Sequence, residues 1–224
     1  MAINLTHAQS AEGTSPLPRI PPLESGDHLT RREFERRYEA MPELKRAELV
    51  EGVVYMPSPV HAQSHAKPHS AVITFLSVYS ASTPGTVVLD NTTLRLDEDN
   101  EVQPDALLMR DSEHGGKARF SVDDYLEGAP ELIVEIAASS ASNDLRDKMK
   151  AYRRNGVQEY AVWQVYDQRF DWWELREGDY ASLKPDDAGI LRSHIFAGLW
   201  LNVSALLSGD LAAVLATLQQ GLAT

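Results

Sequence analysis

A chain of 224 residues, 43% hydrophobic and 24% charged, has the size and composition of one globular domain with short appendages. It contains no cysteine, which excludes a disulfide framework and a thiolate metal site. No apolar run approaches a membrane span and no basic-then-apolar leader opens the chain, so the expectation is a cytoplasmic protein without membrane contact; a net charge of −12 argues against a broadly basic nucleic-acid surface.

Residues 1–28, rich in Pro, Ser and Gly and lacking periodicity, read as a flexible or surface-draped arm. "LTRREFERRYEAMP" predicts a short helix with Thr30 as cap, Phe34 and Tyr38 on one face, and Met41-Pro42 as its end. "KRAELVEGVVYMPSP" alternates about Glu51-Gly52, predicting two short strands, the second stopped by Pro57 and Pro59. A helix is expected over 68–81, followed by Pro84-Gly85. Strands follow at 86–90, 92–97 and 103–110, with a turn at Asp97-Glu98-Asp99-Asn100. Residues 111–129 form a long polar connection, and 131–137 is a strand apolar enough to be buried on both faces. "SASNDLRDKMKAYRRNG" is a helix: Ser142 or Asn143 caps it, Asp144 suits its positive end, Arg153 and Arg154 its negative end, and Gly156 lies just beyond. "VQEYAVWQVY" is a strand, "RFDWWELREGDYASL" a hairpin around Glu177-Gly178-Asp179, "SHIFAGLWLNVSALLSG" a strand or turn leading into a helix, and "DLAAVLATLQQGL" a terminal amphipathic helix.

This order predicts an α/β or α+β fold with a mixed central sheet flanked by helices, a domain over 29–208 and a C-terminal helix within 209–224. No Gly-rich phosphate loop supports a dinucleotide or nucleoside-triphosphate site.

The candidate chemistry rests on four residues. Glu135 is a carboxylate in the middle of an apolar strand, and burying it costs several kcal/mol unless it is paired or holds a metal. Asp105 stands where "QPDALL" passes from polar to apolar, Glu48 is flanked by apolar residues in "RAELVEG", and Lys148 lies on the helix after the Glu135 strand. If the Asp105 and Glu135 strands are neighbours, their carboxylates share one site, suited to a hard cation such as Mg²⁺ or Mn²⁺, with a lysine beside it to orient water or offset charge. Each also has a structural alternative: Asp105 as a turn cap, Glu135 in a core ion pair, Glu48 as a solvated strand residue, Lys148 as an i, i+4 partner of Asp144.

"AELVEGVVYMPSP", "VQPDALLM", "GAPELIVEIAASSASNDLRDKMKAYRRNGVQEYAVW" and "FAGLWLNV" resemble the Uma-type (Uma-two) restriction endonuclease family, a bacterial group within the PD-(D/E)XK nuclease superfamily. The resemblance spans roughly residues 30–208 and is most specific from Gly128 to Trp163. It implies a restriction-endonuclease-like core around a divalent metal, with Pro104-Asp105 matching the "PD", Glu135 the acidic residue of "(D/E)XK" and Glu48 the upstream glutamate. The superfamily lysine is absent, because Ala137 occupies its place, and Lys148 matches a lysine that has migrated to the following helix. Lys150 is the rival, but positions two apart lie about 200° around a helix, so only one faces the site. Lys148 lies beside the core-facing Leu145, Met149 and Tyr152 and is preferred; Tyr152 and His65, the latter matching a histidine that follows the family's "SP", are candidate substrate contacts.

His61, His65 and His69 would form a zinc-like stripe on one continuous helix, but Pro68 argues that the helix opens there and leaves His61 and His65 in a loop. The aromatic hairpin reads as core plus a homodimer contact rather than a base-stacking platform. Arg31, Arg32, Arg36, Arg37, Lys45 and Arg46 form the most basic stretch, the first place to seek phosphate contacts. The expected activity is metal-dependent hydrolysis of nucleic acid, DNA foremost; the alternatives are an inactive nuclease fold used for binding or assembly, and a metal hydrolase acting on another substrate.

Overall fold

The structure, a computed structural model, describes residues 20–56, 61–138 and 144–224. Its first helix is α1 (Arg31–Glu39). Thr30 occupies the cap position but its side chain makes no capping bond; the Arg31 N–H instead donates 2.7 Å to the Glu98 carbonyl, so the helix start is tied to a neighbouring turn. β1 (Glu48–Val50) and β2 (Val53–Tyr55) form the expected hairpin, and the turn works because Glu51 and Gly52 both take positive φ, of 51° and 76°. Pro57 and Pro59, the expected stops of β2, lie outside the described residues.

The next helix departs from expectation at its start. A π-helical turn (Ala62–Ala66) runs directly into α2 (Lys67–Ser82), placing Pro68 in the first turn of α2 rather than at a break. The widened turn, in which Ala66 N–H reaches the His61 carbonyl, carries the helical path past the missing proline N–H. His65 is therefore helical rather than in a loop.

β3 (Thr86–Asp90), β4 (Leu94–Asp97), β5 (Asn100–Val102) and β6 (Ala106–Arg110) follow. The polar connection carries a small hairpin, β7 (Arg119–Phe120) and β8 (Leu126–Glu127), before the all-buried β9 (Leu132–Ala137). A second π turn (Asp144–Lys148) leads into α3 (Met149–Asn155), ended by Gly156 at φ 82°; the two proposed caps Ser142 and Asn143 lie outside the described residues. β10 (Glu159–Gln164), β11 (Arg169–Arg176), β12 (Asp179–Ser182), β13 (Ile190–Arg192), β14 (Trp200–Asn202), α4 (Val203–Ser208) and α5 (Leu211–Leu222) complete the chain.

The mixed α/β architecture is as expected, and the described strands divide into two mixed sheets of six and a two-stranded ribbon. The first runs β2-β1-β5-β4-β8-β7, the second β12-β11-β10-β9-β6-β3, and the ribbon is β13-β14. The sheets pack face to face over Val50, Leu94, Val102, Leu107, Ile133 and Val162, with Ala151 and Tyr152 of α3 closing the same core. The outer face of the second sheet is covered by α2, α4, α5 and the ribbon through Val72, Leu76, Val134, Trp172, Leu206 and Leu218. The terminal helix is thus part of the core: Val214 and Leu218 are fully buried. Against the outer face of the first sheet lie α1 and Leu23, through Phe34, Leu49 and Val54. The end of the expected arm rests there too, since Gly26 N–H donates to the Val54 carbonyl and Val54 N–H to the Asp27 carbonyl. Trp172 of the aromatic hairpin is core, whereas Trp173 stacks on Tyr160 at 6.0 Å.

Two buried polar ties fix the edges of this stack. Arg95 of β4 reaches Glu35 of α1 at 3.0 Å, Glu101 at 3.3 Å and Asp123 at 2.7 Å, with its guanidinium 3.9 Å over the Tyr125 ring. Burial, then the neighbouring Glu35, pushes the Glu101 carboxyl up to about 7 against the pull of Arg95. On the other sheet, Glu159 accepts from Ser193 Oγ at 2.8 Å and from the His194 and Ile195 N–H groups at 2.9 and 3.3 Å, pinning the segment between β13 and β14.

Candidate active site

β6 and β9 are antiparallel, with Ala106 opposite Val134, and continuing that register by one residue sets Asp105 opposite Glu135. The Asp105 N–H lies 3.4 Å from Glu135 Oε2, and Asp105 Oδ2 accepts from the Ile136 N–H at 2.7 Å. Alternation along β9 sends Ile133, Glu135 and Ala137 to the face between the sheets. There β1 delivers Glu48, whose Oε1 accepts from the Gln103 N–H at 2.7 Å. The π turn before α3 carries Lys148 into the same space, its Nζ 3.0 Å from Glu48 Oε1 and 3.0 Å from Glu135 Oε1. The four predicted residues therefore meet, and all four are buried.

The helical-phase question between the two lysines has a geometric answer. Lys148 is 3% exposed at the carboxylates, whereas the Lys150 side chain is 60% exposed and pairs with Glu51. His65 joins the cluster, with Nε2 3.1 Å from Asp105 Oδ1. Tyr152, expected as a substrate contact, is fully buried and donates 2.8 Å to Glu135 Oε1, because its ring is packed at 5.0 Å against Tyr160 in the inter-sheet core. It positions a carboxylate from beneath instead of facing outward.

Sequence reasoning counted Arg46 only as part of a basic stretch, and His69 only in a zinc stripe. Arg46 Nη2 donates to the Gln103 carbonyl and lies 3.5 Å from Glu48 Oε1, while its buried Nε has no hydrogen-bond partner. The available signal was its place two residues before Glu48 on the same strand approach. His69 sits beside the cluster, with Nε2 2.8 Å from the Asp105 carbonyl. His61 precedes the π turn in an extended conformation, so the three histidines do not share one continuous helix.

The electrostatics are those of a compensated anionic site. Burial drives the Glu48 carboxyl upward, but Lys148, Arg46 and the Gln103 N–H together hold it below the ordinary carboxylate range. Asp105 is also held low: burial is outweighed by His65, the Ile136 N–H and Lys148. Burial and the Glu135 charge push the Tyr152 hydroxyl well up, so it stays a donor. Three carboxylates face the basic side chains of Lys148 and Arg46. Their oxygens are the donors a hard divalent cation takes. Among the described residues no three His, Asp or Glu side chains converge as a ready-made ligand set, since the Lys148 ammonium lies between Glu48 and Glu135. The donor chemistry fits the ion, and loading requires the ammonium to yield part of its place.

The family model described as "Putative restriction endonuclease", Uma2, matches residues 31–204. The chain belongs to the Uma2 family. In fold it is similar to a crystal structure of a nuclease, titled putative, belonging to DUF820 from Anabaena variabilis, with a TM-score of 0.61, 15% identity, and coverage of 78% of this chain and 97% of that one. A search of curated proteins found no match. The Uma2 match runs from the start of α1 into α4, so it contains every residue of the cluster. Among the described residues no helix is long and apolar enough to cross a membrane.

Proposed function

We propose that this Uma2 protein is a divalent-metal-dependent endonuclease that hydrolyses phosphodiester bonds in DNA. The observation that carries the reading is the single buried constellation of Asp105, Glu135, Glu48 and Lys148, assembled from neighbouring strands and the following helix. Asp105, Glu135 and Glu48 are the residues that would hold Mg²⁺ or Mn²⁺. Such an ion supplies a lowered pKa for bound water and neutralises charge developing on the phosphoryl oxygens. Lys148 offers ammonium hydrogens to the attacking water or to the phosphoryl oxygens. Tyr152 fixes the orientation of Glu135 through Oε1. In this reading Arg46 and His65, which contact Glu48 and Asp105 at the edge of the carboxylates, would meet a substrate phosphate. The homodimer expected from the aromatic hairpin belongs to the same proposal.

One observation favours a second reading, a catalytically silent nuclease fold. Lys148 and Arg46 already compensate the carboxylates, so the cluster satisfies itself as a buried ion-pair network. Calorimetric titration of Mg²⁺ and Mn²⁺ into wild type and Glu135→Ala, with the same samples incubated with supercoiled plasmid, separates the two. Metal binding and metal-dependent nicking that both vanish in the variant support the nuclease. Absence of both from the wild type selects the silent fold.

A further inference from the structure

The hairpin that delivers Glu48 brings a second polar side chain to the same place. Tyr55 of β2 stands directly opposite Glu48 of β1, so both side chains project from one face of the hairpin. Glu48 Oε1 meets the Lys148 ammonium at 3.0 Å, and the Tyr55 hydroxyl donates 3.0 Å to Asp147 Oδ2. Two cross-strand neighbours thus grip two consecutive residues of the π turn Asp144–Lys148. The Tyr55 side chain packs against the inter-sheet core, as do Leu145 and Met149 to either side of Asp147, so hydroxyl and turn share one mount.

The Tyr55 bond is made to the turn itself. α3, which follows, is anchored to the same hairpin separately, because Glu51 pairs with Lys150 and, at 3.1 Å, with Arg154. A π turn holds more chain than an α turn, so conversion between the two shifts its residues around the helix axis. Lys148 is the last residue of this turn, and its ammonium lies between two of the carboxylates that a divalent cation would use. How firmly the turn is held therefore decides how firmly that ammonium keeps its place.

We propose that the Tyr55–Asp147 hydrogen bond is a positioning clamp: it holds the π turn so that Lys148 stays between Glu48 and Glu135, restraining cation loading and keeping the ammonium where hydrolysis needs it. Tyr55 and Asp147 act through Lys148 rather than on an ion or substrate. The inference deepens the nuclease reading and rests on it for the activity readout alone. Releasing the clamp has two effects of opposite sign. The ammonium yields more readily, so the fraction of molecules able to accept an ion rises, and apparent affinity rises with it. The loosened ammonium is less often aligned with water or a phosphoryl oxygen, so turnover falls. A general loss of structure lowers both together.

The test compares full-length wild type with Tyr55→Phe, Asp147→Ala, Asp147→Asn and the double variant Tyr55→Phe/Asp147→Ala. The first readout needs no metal. The buried Lys148 ammonium is followed by proton–nitrogen magnetic resonance, its signal assigned by loss in Lys148→Met. Its hydrogens should exchange with water about threefold to tenfold faster in Tyr55→Phe and in Asp147→Ala. Asp147→Asn keeps an acceptor oxygen and should stay close to wild type, which separates the bond from the charge. The double variant should exchange no faster than the single ones, since each removes the same bond. By calorimetry, Mn²⁺ should bind Tyr55→Phe about threefold to tenfold more tightly than wild type, while plasmid nicking at saturating Mn²⁺ slows by a similar factor. Unchanged exchange in Tyr55→Phe overturns the clamp, as do additive effects in the double variant or Mn²⁺ binding that is weaker in Tyr55→Phe. A wild type that binds Mn²⁺ but nicks nothing sinks the nuclease reading, and exchange and affinity still judge the clamp. A wild type that binds no Mn²⁺ leaves the exchange readout to decide it.

Discussion

Replacing Lys148 with methionine keeps most of the side-chain volume and removes the charge. Two buried carboxylates, each 3.0 Å from the lost ammonium, then share a space with Arg46 at 3.5 Å from one and the Tyr152 hydroxyl on the other. Removing one side of a buried ion pair costs about 3–5 kcal/mol. At about 2–4 °C per kcal/mol for a chain of this size, the melting temperature falls by roughly 6–20 °C. The pH dependence should also change sign. In the wild type the depressed Glu48 pKa contributes stability above the unfolded value near about 4.3, and that stability is lost as pH falls through the folded value. In Lys148→Met burial remains and the chief opposing charge is gone, so the Glu48 carboxyl rises. Its contribution is then retained at low pH and lost as pH rises. Urea denaturation with a chelator present, at about pH 8 and about pH 5, should show a large deficit in the variant at the higher pH that shrinks at the lower. A deficit under about 1 kcal/mol at the higher pH, or one of equal size at both, refutes the reasoning.

Two further outcomes follow from buried carboxylates outside the site. Glu101, pushed up to about 7 by burial and by Glu35, makes the wild type lose stability as pH rises from about 5 to 8; Glu101→Gln should flatten that slope and stabilise the protein by about 1–3 kcal/mol at the upper end, read by urea denaturation across the range. Burial also raises the Glu159 carboxyl, with Ser193 and two N–H groups acting against it. Ser193→Ala should therefore cost about 1–3 kcal/mol, more at about pH 8 than at about pH 5, and thermal melts at the two values check it.

Legibility from sequence followed how much of an element's cause is local. β9 announces itself through six consecutive buried residues, and the β1–β2 hairpin through a turn dipeptide that tolerates positive φ. β5, β7, β8 and β13 run two or three residues each through polar segments, and they exist because a partner strand is there. β5 even begins on a fully buried asparagine, whose side chain accepts from the Glu51 N–H at 2.8 Å and donates to Asp97 at 2.8 Å. The division into two sheets is a long-range choice of the same kind. In the site, Glu135 stood out because a charge in an apolar strand demands a partner, and helical phase separated Lys148 from Lys150. Arg46, His69 and the downward-facing Tyr152 were not legible, because their roles depend on which strands and helices lie opposite.

The pairing of β6 with β9 also bears on how the chain can fail. A strand's side chains alternate, so a slip of one residue between these strands would turn Glu135 toward the apolar layer under α2 and bring Val134 or Ile136 in among the carboxylates. Such a misregistered molecule would lose its reactive geometry and bury an unmatched charge in the same event. Quality control of the fold and integrity of the chemistry are therefore one decision, and a well-folded but misassembled form has no stable place to persist.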